Sequence, residues 1–459
     1  MTLSTIPQYD REQIPEQRGL AVVVGAGMAG LVAARVLADA FSEVTIIDRD
    51  SFPTEPIPRR GVPQGPQPHA LWESGRATME DLFPGFSEDL LAAGGVMSEL
   101  GNNFKIHLQG DWAAPGMERH VMYFATRPIY EHLVRQRIST FDHVDIRTRC
   151  QFIEYLVDDD ESSIEGIVMR NGESEREELT AELVVDATGR TSRTPAWLED
   201  HGYTPPPLEE IHIDLGYTST FIERPPADNR AFAIMADAPH TRGAHVHPVE
   251  GDRWLVCLYG MHGEHAPDDA TGFKEFAARL RTPVVKELLD EHPLITGDIR
   301  HYPFPANRRY RYEDLDRLPT GLIVIGDAIA SYNPINAQGM SVSVLQALAL
   351  HHVLATSDRT GMESRFFDDA TEITDVAWEL TIGGDLEFPQ TEGPRPRGTS
   401  VLNWYLNRLF RRTQSDRKLS EVAIRVFSLQ QPPAELFRPH IIWRVVRPSR
   451  LVMGPSAKG

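Results

Sequence analysis

Continuous apolar runs that end in glycine or an acidic residue are the clearest pattern along this chain of 459 residues. Leu20 to Val24 is rich in Val and unbroken by polar residues, which is typical of a strand buried on both faces of a parallel sheet. Met28 to Ala40 has helical apolar spacing, and Val44 to Ile47 is a second strand-like run that ends at Asp48. Leu322 to Ile325 repeats the buried-strand pattern. These runs predict a βαβ unit early in the sequence and a further buried strand in its second half.

A different pattern holds in the middle of the chain. Ile164 to Met169 has the character of a strand, and we predict that a charged turn over Glu173 to Glu178 completes a hairpin. From about His212 to Tyr259 the apolar period is two, so that positions 254, 256 and 258 oppose positions 255, 257 and 259. Several short runs of this kind predict an antiparallel sheet with one covered face.

From Met362 onward the apolar spacing is mostly helical, as over Val401 to Phe410 and Leu419 to Leu429. Leu436 to Val446 mixes apolar residues with arginines. Two interpretations are open for this segment: a helix docked on the body with its arginines in water, or a basic amphipathic segment that contacts a membrane or a carrier protein. Prolines shorten the segment and favour the docked helix.

Composition narrows the class of protein. Apolar residues make up 41% of the chain, enough for a large buried core, and the charged fraction of 24% is unlike that of a disordered chain. The formal net charge of −20 argues against a general nucleic-acid-binding protein, because phosphate affinity depends on clustered Lys and Arg. Cys150 and Cys257 cannot form a disulfide framework. Met1 to Arg18 lacks the apolar core of a signal peptide, and no 18 uncharged apolar residues run together, so we expect a cytoplasmic protein without a transmembrane segment.

The first candidate site is the turn after the first predicted strand. Gly25, Gly27 and Gly30 form a G-x-G-x-x-G pattern at the start of the predicted helix. Gly25 allows a tight turn, Gly27 allows close approach of a pyrophosphate, and Gly30 allows close packing of helix and strand. Free N–H groups at the helix start can bind phosphate, and Asp48 can accept a hydrogen bond from a ribose hydroxyl. The pattern predicts a dinucleotide site, and by itself it does not distinguish NAD from FAD.

The second candidate site follows the late buried strand. Gly326 and Asp327 come directly after that strand, a turn contains Pro334, and Gly339 and Met340 begin a helical stretch. The carboxylate of Asp327 can accept hydrogen bonds from a ribityl chain. The positive end of the helix at Gly339 and Met340 suits the negative charge of a reduced flavin ring.

Together with the middle segment Leu183 to Arg193 (LVVDATGRTSR), these two sites resemble those of the FAD-dependent monooxygenases that share the p-hydroxybenzoate hydroxylase fold. In that family a glycine motif, a middle D-x-x-G segment and a late G-D-A…P…G element contact one FAD. The D-A-T-G form found here is similar to that of the epoxidase, halogenase and prenyl-reductase branches. The chain most resembles bacterial epoxidases that act on polyene precursors of polyether antibiotics. This closer resemblance is carried by residues 59–72, 195–203, 304–316, 333–340 and 381–393.

The resemblance implies an α/β fold with a Rossmann-like FAD-binding domain of the glutathione reductase type, an antiparallel β-sheet substrate domain and a helical C-terminal region. The implied FAD-binding domain is discontinuous (19–75, 125–200 and 303–360), the substrate domain comprises 76–124 and 201–302, and the helical region comprises 361–459. Arg59 or Arg60, with Gln64 and His69, is expected in a loop beside the flavin ring. The implied FAD-binding residues are Gly25, Ala26, Gly27, Met28, Ala29, Gly30, Asp48, Arg49, Arg60, Arg127, Asp186, Gly189, Gly326, Asp327, Pro334, Gly339 and Met340.

The activity that the resemblance implies is epoxidation of one or more alkenes of a polyketide or terpenoid intermediate through a flavin C4a-hydroperoxide. Such chemistry needs no protein nucleophile, so no catalytic residue is assigned. The implied partners are FAD, O2, a hydrophobic small-molecule substrate and NAD(P)H as electron donor, directly or through a flavin reductase, with a carrier protein as a further option. An aromatic hydroxylase, a flavin prenyl reductase and a non-catalytic flavin-fold escort protein remain alternatives.

Other chemistry has less support in the sequence. His245 and His247 lie two residues apart and His262 and His265 three apart, but no carboxylate clearly completes either pair, so no metal site is expected. The sequence has neither a G-x-S-x-G nucleophile elbow nor the W-x-W-x-I-P signature of flavin halogenases. One G-x-G-x-x-G is evident, so a separate NAD(P)H-binding domain is not expected.

Overall fold

The structure is a computed structural model that describes residues 1–15, 17–172, 175–295, 299–356 and 360–447. The end of the predicted helical region, 448–459, and positions 173 and 174 of the predicted turn lie outside the described residues. The described strands are β1 (Arg18–Val24), β2 (Phe41–Asp48), β3 (Val96–Glu99), β4 (Phe104–Leu108), β5 (Asp111–Trp112), β6 (Val121–Phe124), β7 (Val144–Thr148), β8 (Cys150–Val157), β9 (Ile164–Asn171), β10 (Glu175–Thr180), β11 (Leu183–Asp186), β12 (Leu208–Glu223), β13 (Ala231–Ile234), β14 (Arg242–Val249), β15 (Arg253–Gly260), β16 (Arg300–Tyr310), β17 (Leu322–Val324) and β18 (Ala330–Ser331). The described helices are α1 (Met28–Ala40), α2 (Glu73–Leu82), α3 (Phe86–Ala92), α4 (Arg127–Ile138), α5 (Thr194–Asp200), α6 (Ala270–Ala277), α7 (Val284–Glu291), α8 (Gly339–Ala355), α9 (Met362–Asp385), α10 (Thr399–Thr413), α11 (Arg417–Phe427) and α12 (Pro439–Val446).

A parallel sheet with the strand order β17-β11-β1-β2-β7 forms the first layer of the fold. Its β1-α1-β2 unit confirms the predicted βαβ unit, including the end of the second strand at Asp48. Ala21 and Val23 of β1 belong to the core shared with the helices, whereas Val22 and Val24 belong to a second core on the opposite face. Burial on both faces explains why β1 is continuously apolar rather than alternating.

Helix α8 lies against α1, α2 and α9 in the core on the helical side of this sheet. Nearly every residue from Met340 to Leu354 is buried, which explains the absence of a polar face in its sequence. The opposite face of the sheet is covered by a small antiparallel sheet with the order β10-β9-β8.

The hairpin predicted after Ile164 exists, but the predicted charged turn over Glu173 to Glu178 is wrong in extent. Glu175 to Thr180 form β10 and pair with β9, so that Glu177 lies opposite Met169 and Glu178 opposite Val168. Charged residues are compatible with a strand here because β10 is the edge of its sheet, where charge also discourages pairing with other chains.

The second large sheet has the order β18-β16-β12-β15-β14-β13-β4-β5. It is antiparallel except that β13 pairs with β4 in parallel. The prediction of one covered face is wrong, because both faces are buried. Trp254, Val256 and Leu258 pack with residues of α6 and α7, while Cys257 and Tyr259 belong to the core shared with the parallel sheet. The predicted alternation of this strand therefore separates two cores rather than a core and solvent.

Strand β16 pairs with β12 in the second large sheet over most of its length. The next strand along the chain, β17, belongs to the parallel sheet, so the chain passes from one large sheet to the other here. The expected domain boundary at residue 303 falls inside β16. The described helices contain no segment that is both long enough and apolar enough to cross a bilayer.

Helices α10, α11 and α12 form a small core of their own. Ile441 and Val445 of α12 are fully buried in it, so the structure agrees with a docked helix. Arg444 donates hydrogen bonds to Asp416 at 2.9 Å rather than standing alone in water. The other face of α12 is exposed.

Candidate cofactor site

Strands β1, β2, β11 and β17 all end at the same edge of the parallel sheet. The residues at these ends are those singled out in the sequence: Gly25, Asp48, Asp186 and Asp327. They line one partly enclosed groove of about 520 Å³. Crevices outside the carboxyl ends of parallel strands are where α/β sheets bind ligands.

The three glycines of the first turn have three different surroundings. Gly25 has φ +102°, and a Cβ there would lie 2.7 Å from the Ala187 carbonyl oxygen. A Cβ on Gly30 would lie 1.8 Å from the Gly25 carbonyl oxygen, so helix and turn pack too closely for any side chain. A Cβ on Gly27 would meet no atom within 4 Å. Gly25 and Gly30 therefore shape the turn, whereas Gly27 leaves space in the groove.

Asp48 holds the glycine turn in place. Its carboxylate accepts hydrogen bonds from the backbone N–H of Ala26 at 2.8 Å and of Asp50 at 2.9 Å. Arg59 lies 3.2 Å from the same carboxylate. Asp48 also lines the groove, where Arg59 donates to both of its carboxylate oxygens, at 3.2 and 3.4 Å.

Two arginines in the groove wall form ion pairs with the same carboxylate, that of Glu131. Arg59 donates to Glu131 at 3.0 Å and to the Ala26 carbonyl oxygen at 2.9 Å, and Arg127 donates to Glu131 at 2.8 Å. Burial raises the pKa of Glu131, but Arg127 and Arg59 more than offset this effect and the pKa is lowered. An ionised Glu131 fixes both guanidinium groups in the groove wall, where they suit an anionic ligand such as a pyrophosphate.

The D-A-T-G segment is organised by Asp186. This carboxylate is buried and accepts hydrogen bonds from Thr188 N–H at 2.9 Å and from the hydroxyls of Thr188 and Thr194, each at 2.6 Å. Gly189 follows with φ +71° and lines the groove. Asp186 therefore acts by holding the turn that presents Gly189.

Asp327 differs from these carboxylates because, among the described residues, no hydrogen bond is donated to it. It lines the groove next to Gly189 and Gly339, and its Cβ lies 3.8 Å from the position of a Cβ on Gly189. Burial raises its pKa, opposed by the positive charges of Arg190 and Arg127. A carboxylate left without donors in a groove wall is a ready acceptor for ligand hydroxyl groups.

Helix α8 begins beside Asp327. Gln338, its N-cap, gives no side-chain hydrogen bond to the first turn, and that turn contains no acidic residue. The N–H groups at Gly339 and Met340 therefore stay free to bind an anion at the positive end of the helix. Ala337, just before, has φ +51°, an uncommon conformation for a residue with a side chain.

A buried polar cluster supports this turn from behind. Asp385, at the end of α9, accepts hydrogen bonds from the side-chain amides of Asn333 at 2.7 Å and Asn307 at 2.8 Å. Asn307 in turn accepts one from the Asn333 backbone N–H at 2.5 Å. All three side chains are almost fully buried. The cluster ties the turn before α8 to strand β16 and helix α9.

Asp385→Asn should remove a pH dependence of folding. Burial raises the pKa of Asp385 from 3.8 to about 6, against the hydrogen bonds from Asn333 and Asn307. The folded state therefore holds this proton over a range in which the unfolded state has lost it, and the free energy of unfolding should fall as pH rises through that range. The separation of the two pKa values corresponds to about 3 kcal/mol. Urea denaturation from pH 4 to pH 7 checks this: parallel curves for both proteins would contradict it.

The groove is also lined by side chains of the second large sheet. Burial lowers the pKa of His245 to about 4 and raises that of Cys257 to about 12, so both are uncharged at neutral pH. Tyr217, Tyr302 and Phe304 complete the lining. In the described residues no group of three or more His, Cys, Asp or Glu side chains is arranged to hold a metal ion.

The loop 59–72 runs along the groove from one end to the other. Arg59 anchors it at the Asp48 end, and Trp72 anchors it at the α8 end, where its indole N–H donates to the Asn336 carbonyl oxygen at 2.9 Å. Between them Gln67 is buried and accepts a hydrogen bond from Ser219 of the second sheet at 2.5 Å. Burial, with the nearby Arg127, lowers the pKa of His69 to about 3.

Most of the predicted residues line this one groove, but four do not. Ala26, Gly30 and Gly326 act through the backbone or through packing, and Arg60 is exposed on the outside of its loop while Arg59 takes the inner position. Those that line it are Gly25, Gly27, Met28, Ala29, Asp48, Arg49, Arg127, Asp186, Gly189, Asp327, Pro334, Gly339 and Met340.

Residues from distant parts of the sequence also line the groove and were not predicted as site residues. They include Gln67, Arg190, Tyr217, His245, Cys257 and Asn333. Arg190, Gln67 and Asn333 lie in segments that carry the family resemblance, which was the available signal. Nothing local distinguishes Tyr217 and Cys257 from ordinary alternating strand residues.

The shape and donor set of the groove fit an extended dinucleotide. One end offers the N–H groups of α1 and the open space at Gly27, and the other offers the carboxylate of Asp327 and the N–H groups of α8. Phosphates suit the first end, and a polyhydroxylated chain followed by an electron-rich ring suits the second. This is the arrangement expected of a flavin-adenine dinucleotide site.

Comparisons with known proteins agree with this description. A family model described as FAD binding domain matches residues 116–382, and one described as NAD(P)-binding Rossmann-like domain matches residues 23–78. Protein Rv3254 of Mycobacterium tuberculosis is 31% identical over 432 residues, covering 89% of each chain. The structure of the flavin-dependent brominase Bmp2 superimposes with a TM-score of 0.67 at 14% identity, covering 92% of this chain and 96% of that one. For 2-methyl-3-hydroxypyridine-5-carboxylic acid oxygenase the TM-score is 0.57 at 17% identity, covering 81% and 90%.

Fold and groove together define a flavoprotein with a Rossmann-like cofactor layer and a second sheet over the reactive end of the groove. The chain belongs to the FAD-binding monooxygenase family of the p-hydroxybenzoate hydroxylase type, whose model covers more than half of it. At their low sequence identities, the two solved structures show the shared fold alone.

Proposed function

We propose that the protein is an FAD-dependent monooxygenase that epoxidises an alkene of a hydrophobic polyketide or terpenoid intermediate. The observation that carries this proposal is the uncharged set of side chains that the second large sheet contributes to the groove. His245 and Cys257 are held neutral by burial, and tyrosine and phenylalanine side chains make up much of the rest. Such a lining favours an apolar substrate, and the guanidinium of Arg190 beside it lies over the Phe304 ring, 4.4 Å from its centre.

When bound and reduced, FAD would supply the activation of O2. The residues of this chain would bind and shield it. Asp327 would accept hydrogen bonds from the ribityl hydroxyls, Arg127 and the N–H groups of α1 would hold the pyrophosphate, and the start of α8 would stabilise negative charge on the ring. The loop 59–72, closed over the groove by Gln67 and Trp72, would exclude water from the reacting centre.

NAD(P)H would be the electron donor, either directly or through a flavin reductase. The sequence has one dinucleotide motif, and FAD is expected to occupy it, so a nicotinamide would have to visit the flavin end of the groove transiently. A cytoplasmic location, where NAD(P)H is available, agrees with two buried cysteines that are both free thiols. The substrate would enter free or attached to a carrier protein.

The test is product mass analysis after the reduced protein is mixed with candidate polyenes under labelled O2. We expect a mass increase of one labelled oxygen atom per alkene oxidised, with loss of the alkene signal. The matched control is the Asp327→Ala variant, which should give no product. Oxygen incorporated into an aromatic ring would instead identify a hydroxylase, and turnover without O2 would identify a reductase. An absence of oxygen uptake with every donor would contradict an enzymatic role.

A further inference from the structure

Exposed large apolar side chains are concentrated at the carboxyl end of the described chain. Seven of the eleven such side chains among the described residues lie on α10, on α12 or in the short turn before α12. We call this set the C-terminal apolar surface. Its members are Val401, Leu402, Trp404, Phe437, Ile442, Trp443 and Val446. Trp404 and Trp443 are 57% and 61% exposed, which is unusual for a residue that normally buries most of its area.

The two helices present these side chains next to each other. Arg408 of α10 donates hydrogen bonds to the carbonyl oxygens of Val445 at 2.7 Å and Val446 at 3.3 Å. Val401 and Trp404 precede Arg408 by seven and four residues, so the helical repeat puts them on the same side of α10. The buried side chains of α12, Ile441 and Val445, do not belong to this surface. They pack in the small core that contains Tyr405 and Leu409 of α10. The exposed apolar side chains therefore lie on two helices that contact each other.

The segment that carries this surface is basic, on a protein that is otherwise acidic. Residues 399–447 contain nine Lys and Arg but three Asp and Glu, whereas the whole chain has a net charge of −20. The three acidic residues are already paired with arginines: Asp416 with Arg444, Glu421 with Arg425, and Glu435 with Arg438. Arg408 and Arg412 donate to backbone carbonyl oxygens of α12 or the residue after it rather than to a carboxylate, so the segment keeps a positive net charge.

We propose that the C-terminal apolar surface binds to the surface of an anionic lipid bilayer. Exposed tryptophans prefer the boundary between water and acyl chains, and arginines beside them attract anionic headgroups. A short amphipathic helix flanked by basic residues can lie in this boundary without crossing it. This inference is independent of the flavin chemistry proposed above.

A protein partner fits the same observations less well. Acidic side chains that would give directional pairing are already used within the region, and its remaining charges are nearly all of one sign. A diffuse positive field around apolar side chains matches the charge of a bilayer better than the mixed charges of a typical protein interface.

Co-sedimentation with vesicles tests the proposal. The full chain should bind vesicles of phosphatidylglycerol and phosphatidylcholine, and should bind phosphatidylcholine alone at least about tenfold more weakly, since each Lys or Arg near an anionic surface contributes about 1 kcal/mol. The double variant W404A/W443A should reduce binding to the anionic vesicles by about tenfold or more. The variant R411E should reduce it as well, and high salt should have the same effect.

The matched control is the double variant L91A/L208A, which removes exposed apolar side chains elsewhere on the molecule and should bind as the parent does. Thermal unfolding of W404A/W443A should be unchanged, because both indoles are largely exposed. Equal binding by W404A/W443A, or equal binding to neutral and anionic vesicles, would overturn the proposal. A self-association in the absence of lipid that depends on Trp404 and Trp443 would overturn it too, and would identify the surface as an interface between copies.

Discussion

Asp327→Ala should purify without bound FAD, while the apoprotein stays folded. Asp327 is the carboxylate at the flavin end of the groove to which no described residue donates a hydrogen bond. Burial already raises its pKa, so its charged form is poorly stabilised by the protein alone. A group kept in this condition is expected to serve a ligand rather than the fold.

The expected loss of affinity is large. A hydrogen bond to a charged acceptor contributes about 1.5–3 kcal/mol, and a carboxylate facing a ribityl chain can accept two. The loss of both corresponds to a decrease of roughly 100-fold or more in FAD affinity. Flavin absorbance of the purified protein and titration of the apoprotein with FAD measure this decrease.

Two further variants separate binding from folding. Asp327→Asn keeps the size and one acceptor oxygen, so its affinity for FAD should lie between those of the parent and Asp327→Ala. Asp316→Ala, which changes an exposed carboxylate upstream, should bind FAD normally. The melting temperature of apo Asp327→Ala should not fall, because a buried charge without donors has been removed. Full FAD occupancy in Asp327→Ala would refute the assignment of this residue.

The early part of the site could be predicted because its causes are local. The first helix begins at Met28, as the glycine motif predicts, because Gly25 has φ +102° and its carbonyl oxygen, five residues before Gly30, leaves no space for a side chain there. The start of α8 is local as well, because the helix begins at Gly339 directly after a proline-containing turn. In both cases turn, strand end and helix start lie in one stretch of sequence.

The supporting cluster behind the flavin end could not be predicted in this way. Asn333 and Asp385 meet because α9 returns to the turn before α8, and Asn307 joins them from β16. Each of these side chains is polar, and no pattern in the sequence around it predicts that it is buried. The burial results from the packing of three elements that are distant in sequence. Long-range packing of this kind leaves no periodic signal in the sequence.

The choice between Arg59 and Arg60 shows the same limit on a smaller scale. Neighbouring residues in a proline-rich loop have no regular period, so the sequence does not indicate which side chain points inward. In the structure Arg59 turns inward because Asp48, Asp50 and Glu131 all lie on that side. Likewise, the second large sheet has two covered faces because α6 and α7 return to cover the outer one, which alternation within a strand cannot reveal.

Gly27→Val should abolish FAD binding and leave the fold intact, unlike substitution of its neighbours in the same motif. A Cβ on Gly27 would meet no protein atom within 4 Å, and Gly27 has φ −76°, which any residue adopts. A Cβ on Gly30 would lie 1.8 Å from a backbone oxygen, so Gly30→Ala should unfold the turn instead. A side chain at Gly27 would therefore take up space that the ligand needs and that the protein itself does not occupy.

The effect should grow with the size of the side chain. Gly27→Ala places one methyl group where the pyrophosphate is expected, and Gly27→Val places three carbons there, so affinity for FAD should fall in that order, by about 100-fold or more for valine. Titration of the apoproteins with FAD measures the affinities, and thermal unfolding without FAD should give melting temperatures close to the parent's. Gly384→Ala, an exposed helical glycine with equally open surroundings, is the matched control and should bind FAD normally. Unchanged affinity in Gly27→Val would mean that the phosphates lie elsewhere, since no atom of the protein competes with the added carbons for this part of the groove.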